Sequence, residues 1–239
     1  MINIGAYIPT TPPARFVRRA QGSYGSLCFM PKALRTSVYI DGFNLFYGAL
    51  KGTTHKWLDL SALMKVLLPA NRVDRIKLFT ARITSRADDP RAHERQNAWL
   101  RALKANCPDV EIVFGHFLSH TTRMHLASPP RFGPRTVEVI KTEEKGSDVN
   151  LAVHMVDDCW RNRFDVAVII SNDSDLAEPM KMVRALNKAT GLITPSARRA
   201  SQQLVQHSSF RKILRSSHLA AAQLPETIPG TAISKPHRW

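Results

Sequence analysis

Four aspartates fall where an open α/β sheet would gather them. Asp41 closes the apolar run Ser37-Val38-Tyr39-Ile40 and is followed by Gly42-Phe43-Asn44-Leu45. Asp148 opens a helix-like stretch within Lys145-Gly146-Ser147-Asp148-Val149-Asn150-Leu151. Asp173 and Asp175 lie in Ser171-Asn172-Asp173-Ser174-Asp175-Leu176, directly after an apolar run from Val166 to Ile170. Carboxylates at the strand ends and helix starts of a parallel sheet converge on one rim, where such folds bind ligands. Gathered there without a partner they repel, and a hard divalent cation is their natural companion. The chemistry to expect is metal-dependent and directed at phosphate. Taken singly, each aspartate has a plainer role as a turn residue or helix cap; the ordered set is what points to a site.

The elements needed to position them are legible as an alternation of apolar strands and helix-period segments from Ser37 onward. Strands are expected at 38–40, 75–82, 110–117, 135–141, 165–171 and 191–194. Helices are expected at 44–50, 59–68, 90–105, 147–160 and 174–187, with Asp59 or Ser61 capping the second and Ala92, Gln96, Trp99, Leu100 and Leu103 forming one face of the third. Within 165–171 the run Val166 to Ile170 is apolar throughout, as strands buried on both faces are. Residues 118–134, with Pro129, Pro130, Gly133 and Pro134, read as an irregular excursion, and Trp57, Trp99 and Trp160 as core. The β-α order predicts an α/β fold with a mainly parallel central sheet flanked by helices.

Composition narrows the partners. The net charge is +15 over 239 residues, which suggests a polyanion, most often nucleic acid. Residues 1–36 carry five Lys/Arg and no acid, and residues 201–239 carry five and only Glu226, so the ends read as basic arms. Residues 1–35 are expected to be a basic, disordered segment, with Met30 an alternative start; 36–197 form the domain; 198–239 are a helix fragment and a flexible basic tail. Cys28, Cys107 and Cys159 show no paired spacing, which fits a reducing cytoplasm rather than a disulfide scaffold. No apolar run approaches the ~20 residues of a membrane span.

Asp41-Gly42-x-Asn44-Leu45, Lys145-Gly146-x-Asp148-Val149-x-Leu151 and Ser171-x-Asp173-Ser174-Asp175-Leu176 together resemble the three motifs of the NYN domain family, PIN-like nucleases that include the LabA-like group. Arg95-Gln96-x-x-Trp99-Leu100-x-x-Leu103 is similar to the helix between its first two motifs, and the match spans roughly residues 36–195. The resemblance implies a PIN-like three-layer sandwich, a Mg²⁺ or Mn²⁺ site and endoribonuclease chemistry. It implies Asp41, Asp148, Asp173 and Asp175 as catalytic metal ligands, with Asn44 and Ser171 as polar supports. Two positions depart from the pattern: Asn172 where the family commonly has Gly, and His154 where it often has an acid.

Further candidates come from the residues alone. Lys145 is a candidate phosphate partner, and Lys181 and Arg184 on the last helix and Arg131 and Arg135 in the excursion are candidates for RNA contact, each with a solvated surface role as its plainer alternative. RNA, single-stranded or structured, is the expected partner, and a second copy of the chain a further one. A catalytically weak RNA-binding module on the same fold is the competing function. Haloacid-dehalogenase chemistry would need a second acid after the first strand, where Asp41-Gly42-Phe43 has none. His116, His120 and His125 do not complete a zinc set, and no GxSxG elbow is present.

Overall fold

The computed structural model describes residues 33–85, 89–196 and 199–237. The expected N-terminal segment and Met30 therefore lie almost entirely outside the described residues.

The first strand, β1 (Arg35–Asp41), leads into a short helix α1 (Gly42–Leu45) and a π-helical turn (Phe46–Leu50). Helix α2 (Leu60–Leu67), capped by Asp59 through the Ala62 amide at 2.8 Å, precedes β2 (Arg72–Thr80). Then follow α3 (Ala92–Asn106), β3 (Val110–Phe114), β4 (His116–His125), β5 (Thr136–Lys145) and α4 (Ser147–Trp160). The remainder is β6 (Val166–Ile170), a 3₁₀ turn (Ser174–Leu176), α5 (Ala177–Ala185), β7 (Ala189–Thr194), α6 (Gln202–Gln206), β8 (Phe210–Ile213) and α7 (Ser216–Ala220).

Six strands form one parallel sheet in the order β3-β2-β1-β6-β7-β8. The chain builds outward from β1 in one direction, then returns to β6 and builds outward in the other. The order reverses between β1 and β6, which pair in register with Ile40 opposite Ile170. Strand alternation sends Val38, Ile40, Val168 and Ile170 into one core with α2, α3 and α7. Tyr39, Ala167 and Ile169 go into the other, with α4 and α5. The result is the expected three-layer α/β sandwich, consistent with a PIN-like fold. Among the described residues no helix is long and apolar enough to cross a membrane.

Three expectations are corrected. Residues 118–134 are only in part an irregular excursion: 126–135, with the prolines, form an irregular loop, but 118–125 belong to β4, and β4 and β5, ten residues each, pair antiparallel as a separate hairpin from His116–Lys145 to His125–Thr136. Its strands are polar and largely exposed, so neither apolar periodicity nor burial announces them. Residues 199–237 are not a flexible tail. Strand β8 extends the sheet, and Leu214, Leu219, Ala222, Leu224 and Ile228 are buried in the core that holds Trp57. Trp57 Nε1 donates to the Pro225 carbonyl at 2.8 Å, and the Leu224 amide donates to the Trp57 carbonyl at 2.9 Å. The polar composition of this stretch hides five well-placed apolar side chains. Room for β8 depends on Gly191, whose missing Cβ would stand within 2.8 Å of three Phe210 ring carbons. Finally, Trp160 is not core: it is 78% exposed on the last turn of α4.

Candidate active site at the switch of strand order

A parallel sheet offers its ligand site at the carboxyl ends of the strands, where strand order reverses. Here that point is occupied by the residues that end β1 and follow β6. Asp41 is 2% exposed. Its Oδ1 accepts the Asn44 amide at 2.9 Å, capping α1, and its Oδ2 accepts Asn44 Nδ2 at 2.7 Å and Ser171 Oγ at 2.9 Å. Ser171 Oγ also accepts the Asp173 amide at 3.0 Å, and Asp173 Oδ1 accepts the Asp175 amide at 3.0 Å. Asn44 Oδ1 accepts the Asn172 amide at 3.3 Å. One hydrogen-bonded net thus ties the first and third acidic motifs together. Gly42 permits the approach of β2, since a Cβ there would stand 2.7 Å from the Phe79 carbonyl oxygen.

The second motif arrives through the hairpin. Gly146, at φ 94°, turns the chain from β5 into α4. Glu144 caps the start of α4, accepting the Ser147 amide at 3.0 Å and Ser147 Oγ at 2.7 Å. Asp148 stands in the first helical turn, where the helix dipole favours negative charge. Asp41, Asn44, Glu144, Ser147 and Asp148 line a cavity of about 250 Å³ together with Phe43, Tyr47 and Phe117. The Phe43 and Phe117 rings meet edge to face at 5.8 Å, so the hairpin base forms an aromatic wall beside the acids.

Electrostatics show how closely the acids are gathered. Burial, and then the negative charges of Asp41, Asp173, Glu144 and Asp175, push the Asp148 carboxyl up to about 6. Burial and the nearby Asp173 also raise Asp41, against the three donors that favour its ionised form. Among the described residues, no three side chains close around one point as a finished metal cage. A magnesium-type ion takes only one or two direct carboxylates and keeps several waters. An all-oxygen set of mutually repelling carboxylates opening on a polar cavity fits such an ion.

The repulsion has a measurable consequence without any ion. Asp148 holds its proton more tightly folded than unfolded, so between its ordinary value of 3.8 and about 6 its contribution to stability falls as pH rises. Removing the charge by Asp148→Asn is expected to stabilise the protein at pH 7 in EDTA by about 1 kcal/mol, discounted for partial exposure. That corresponds to roughly 2–4 °C in Tm. Thermal unfolding at pH 7 and pH 4.5 checks it: the gain should shrink at the lower pH, and equal melting at pH 7 would mean the acids are not coupled.

A second polar cluster supports the site from below. Asp158, on the inner face of α4, accepts Tyr39 Oη at 2.8 Å and Arg163 Nη1 at 2.8 Å, and pairs with the buried Lys77 ammonium at 2.7 Å. Burial pushes the Asp158 carboxyl up, but these donors outweigh it and hold the group below the usual range. Lys77 Nζ also lies 3.2 Å from His154 Nδ1. His154, the departure from the acidic pattern, is therefore committed to this cluster through Lys77 and Phe79. The cluster fixes α4, and hence Asp148, to β1 and β2.

Comparison with known proteins agrees with this geometry. Residues 35–214 match the NYN domain, most of the chain. The chain belongs to the NYN domain family. It is also 35% identical over 237 residues to 6-hydroxy-3-succinoylpyridine 3-monooxygenase HspA of Pseudomonas putida strain S16, covering 86% of this chain and 75% of that protein. A solved structure of a protein of unknown function from Vibrio parahaemolyticus RIMD 2210633 is similar in fold, with a TM-score of 0.51 at 13% identity, over 80% of this chain and 97% of that one.

Within this NYN domain, Asp41, Asp148, Asp173, Asp175, Asn44 and Ser171 are brought to one rim. Lys145 is not among the cavity-lining residues; its ammonium pairs with Glu143 at 3.3 Å. Lys181 pairs with Glu178 at 3.2 Å, and Arg184 is exposed on the same helix. Arg131 and Arg135 lie in the hairpin's distal turn, roughly 30 Å from its base at the rise of an antiparallel strand. Sequence reading missed Glu144, Phe43, Tyr47 and Phe117 as site residues. Glu144 had a signal, an acid three residues before Ser147 at a helix start; the aromatics had none, because only the hairpin's fold places Phe117 against Phe43.

Proposed function

We propose that this NYN protein is a metal-dependent endoribonuclease that hydrolyses RNA phosphodiesters to a 5′-phosphate and a 3′-hydroxyl. The observation that supports it most is the gathering of Asp41, Asp148, Asp173, Asp175 and Glu144 at the switch of strand order, with Asp148 raised to about 6. Asp41, Asp148 and Asp173 would hold Mg²⁺ or Mn²⁺, with Asp175 and Glu144 beside them. When bound, such an ion neutralises charge on the phosphate and lowers the pKa of an attacking water.

The chain's own residues supply the rest. Ser171 and Asn44 hold the Asp41 carboxylate in one orientation through Oδ2. A rim carboxylate that does not hold the ion, Glu144 or Asp175, takes the proton of the water whose oxygen bonds to phosphorus as the P–O3′ bond breaks. The departing 3′ oxygen takes its proton from solvent. Tyr47, 55% exposed at the cavity mouth, offers a face on which a base can stack.

Labelled single-stranded RNA and a matched stem-loop, incubated with Mn²⁺, Mg²⁺ or EDTA, test the reading. Cleavage with either metal and none with EDTA is expected. Binding without cleavage would favour the RNA-binding module instead. The 35% identity to HspA supports a second reading, oxygenation of a hydroxylated pyridine. Consumption of 6-hydroxy-3-succinoylpyridine in the presence of oxygen and a reductant, without RNA cleavage, would replace the nuclease reading with that one.

A further inference from the structure

A second cavity is larger than the acidic one. A cleft of about 730 Å³ opens beside the carboxyl ends of β7 and β8, lined by Thr194, Arg199, Arg211, Ile213, Arg215 and His218 among others. The chain around it is free of acids: residues 179–225 carry eight Lys/Arg and no Asp or Glu. Arg199, Arg211 and Arg215 are exposed, and none of the ion pairs among the described residues uses them. On β8, alternation sets Arg211 and Ile213 on one face, while Lys212 turns to the other and donates to the Leu67 carbonyl. Ile213 adds a half-exposed apolar surface between the arginines.

The cleft is joined to the acidic site through the Asn172 side chain. The Asn172 side chain accepts the Ser201 amide at 2.8 Å and donates to the Arg199 carbonyl at 3.4 Å. The Asn172 amide in turn donates to Asn44 Oδ1, and Asn44 holds Asp41. Arginine is the side chain best suited to grip phosphate, through a planar fork that does not lose its charge. Several such forks around an acid-free cleft of this size, with an apolar surface between them, match consecutive phosphates carrying sugars and bases.

We propose that this cleft binds the phosphodiester backbone of a single-stranded polynucleotide and leads it to the acidic rim. The inference deepens the nuclease reading and rests on it for the direction of the strand. The Asn172 side chain, which takes the place of a common family glycine, is the strut that sets the cleft wall against the catalytic net.

The test is anisotropy of a labelled single-stranded RNA titrated with the full chain in EDTA, at several salt concentrations. Each lost phosphate contact on a single strand lowers the slope of log K against log salt by about 0.7. The Arg199→Gln/Arg211→Gln/Arg215→Gln variant should therefore show a slope shallower by about 2 and affinity weaker by about a hundredfold at 0.1 M salt. A control that removes the same charge from exposed positions on α2 and α3, Lys65→Gln/Arg101→Gln/Lys104→Gln, should lose less than about threefold. Equal losses in both variants, no loss in the cleft variant, or wild-type binding of a dinucleotide in preference to RNA would each overturn the proposal. Retained binding by the cleft variant alongside metal-dependent RNA cleavage would sink this cleft and spare the nuclease. Cleft-dependent binding without cleavage under any metal would do the reverse.

Discussion

Asp41→Asn should reduce metal-dependent RNA cleavage by about 10³-fold or more, an effect at the upper end of losing one preorganised electrostatic group. Asp41 is the carboxylate most completely fixed by its surroundings, with two donors on Oδ2 and one on Oδ1. Asparagine matches its shape and removes its charge. Its amide group would turn two hydrogens toward either the Asn44 side chain and Ser171 or the Asn44 backbone, so one donor contact becomes a donor–donor clash. The expected stability loss is about 1–2 kcal/mol, well short of unfolding. Cleavage rates of the folded variant, verified by circular dichroism, measure the effect; undiminished cleavage would remove Asp41 from the chemistry. RNA affinity in EDTA should stay near the wild-type value, because the binding charges assigned above lie in the cleft.

Asp158→Leu should destabilise the protein by about 3–5 kcal/mol, the usual result of stranding one partner of a buried ion pair. Lys77, 3% exposed, would lose the carboxylate 2.7 Å away and keep the His154 ring nitrogen and the more distant, half-exposed Glu111 carboxylate at 3.8 Å. Tyr39 Oη and Arg163 would lose their acceptor as well. The paired change Lys77→Met/Asp158→Leu should recover most of the loss, since apolar replacement of a whole buried pair is often close to neutral. Urea unfolding of the three variants decides it. No recovery in the double variant would mean that Tyr39 and Arg163, rather than the stranded lysine, carry the cost. Because α4 holds Asp148, the single variant should also weaken cleavage at temperatures where it is still folded.

How much of this was legible beforehand follows from what each element depends on. Strand β6 was readable because Val166 to Ile170 is buried on both faces and must be apolar throughout. Helix α3 was readable from Trp99, Leu100 and Leu103 at helical spacing, and the cap of α2 from Asp59. The four motif aspartates were readable because their positions at strand ends and a helix start are local facts, and local facts survive folding. The hairpin was not, because exposed polar strands carry no periodic signal, and its pairing joins residues 116 and 145 across a stretch with three prolines.

The sequence by itself determined the α/β alternation, the NYN motifs and the acids that would meet. Tertiary structure alone decided who their neighbours are. It placed Glu144 and Phe117 at the cavity by setting the hairpin base against α1, and it committed His154 to Lys77. It also turned a polar C-terminal stretch into the sixth strand, whose Arg211 lines the second cleft. Each of these is a contact between residues far apart in the chain. Such contacts depend on how strands are ordered in the sheet, and no local spacing encodes that order.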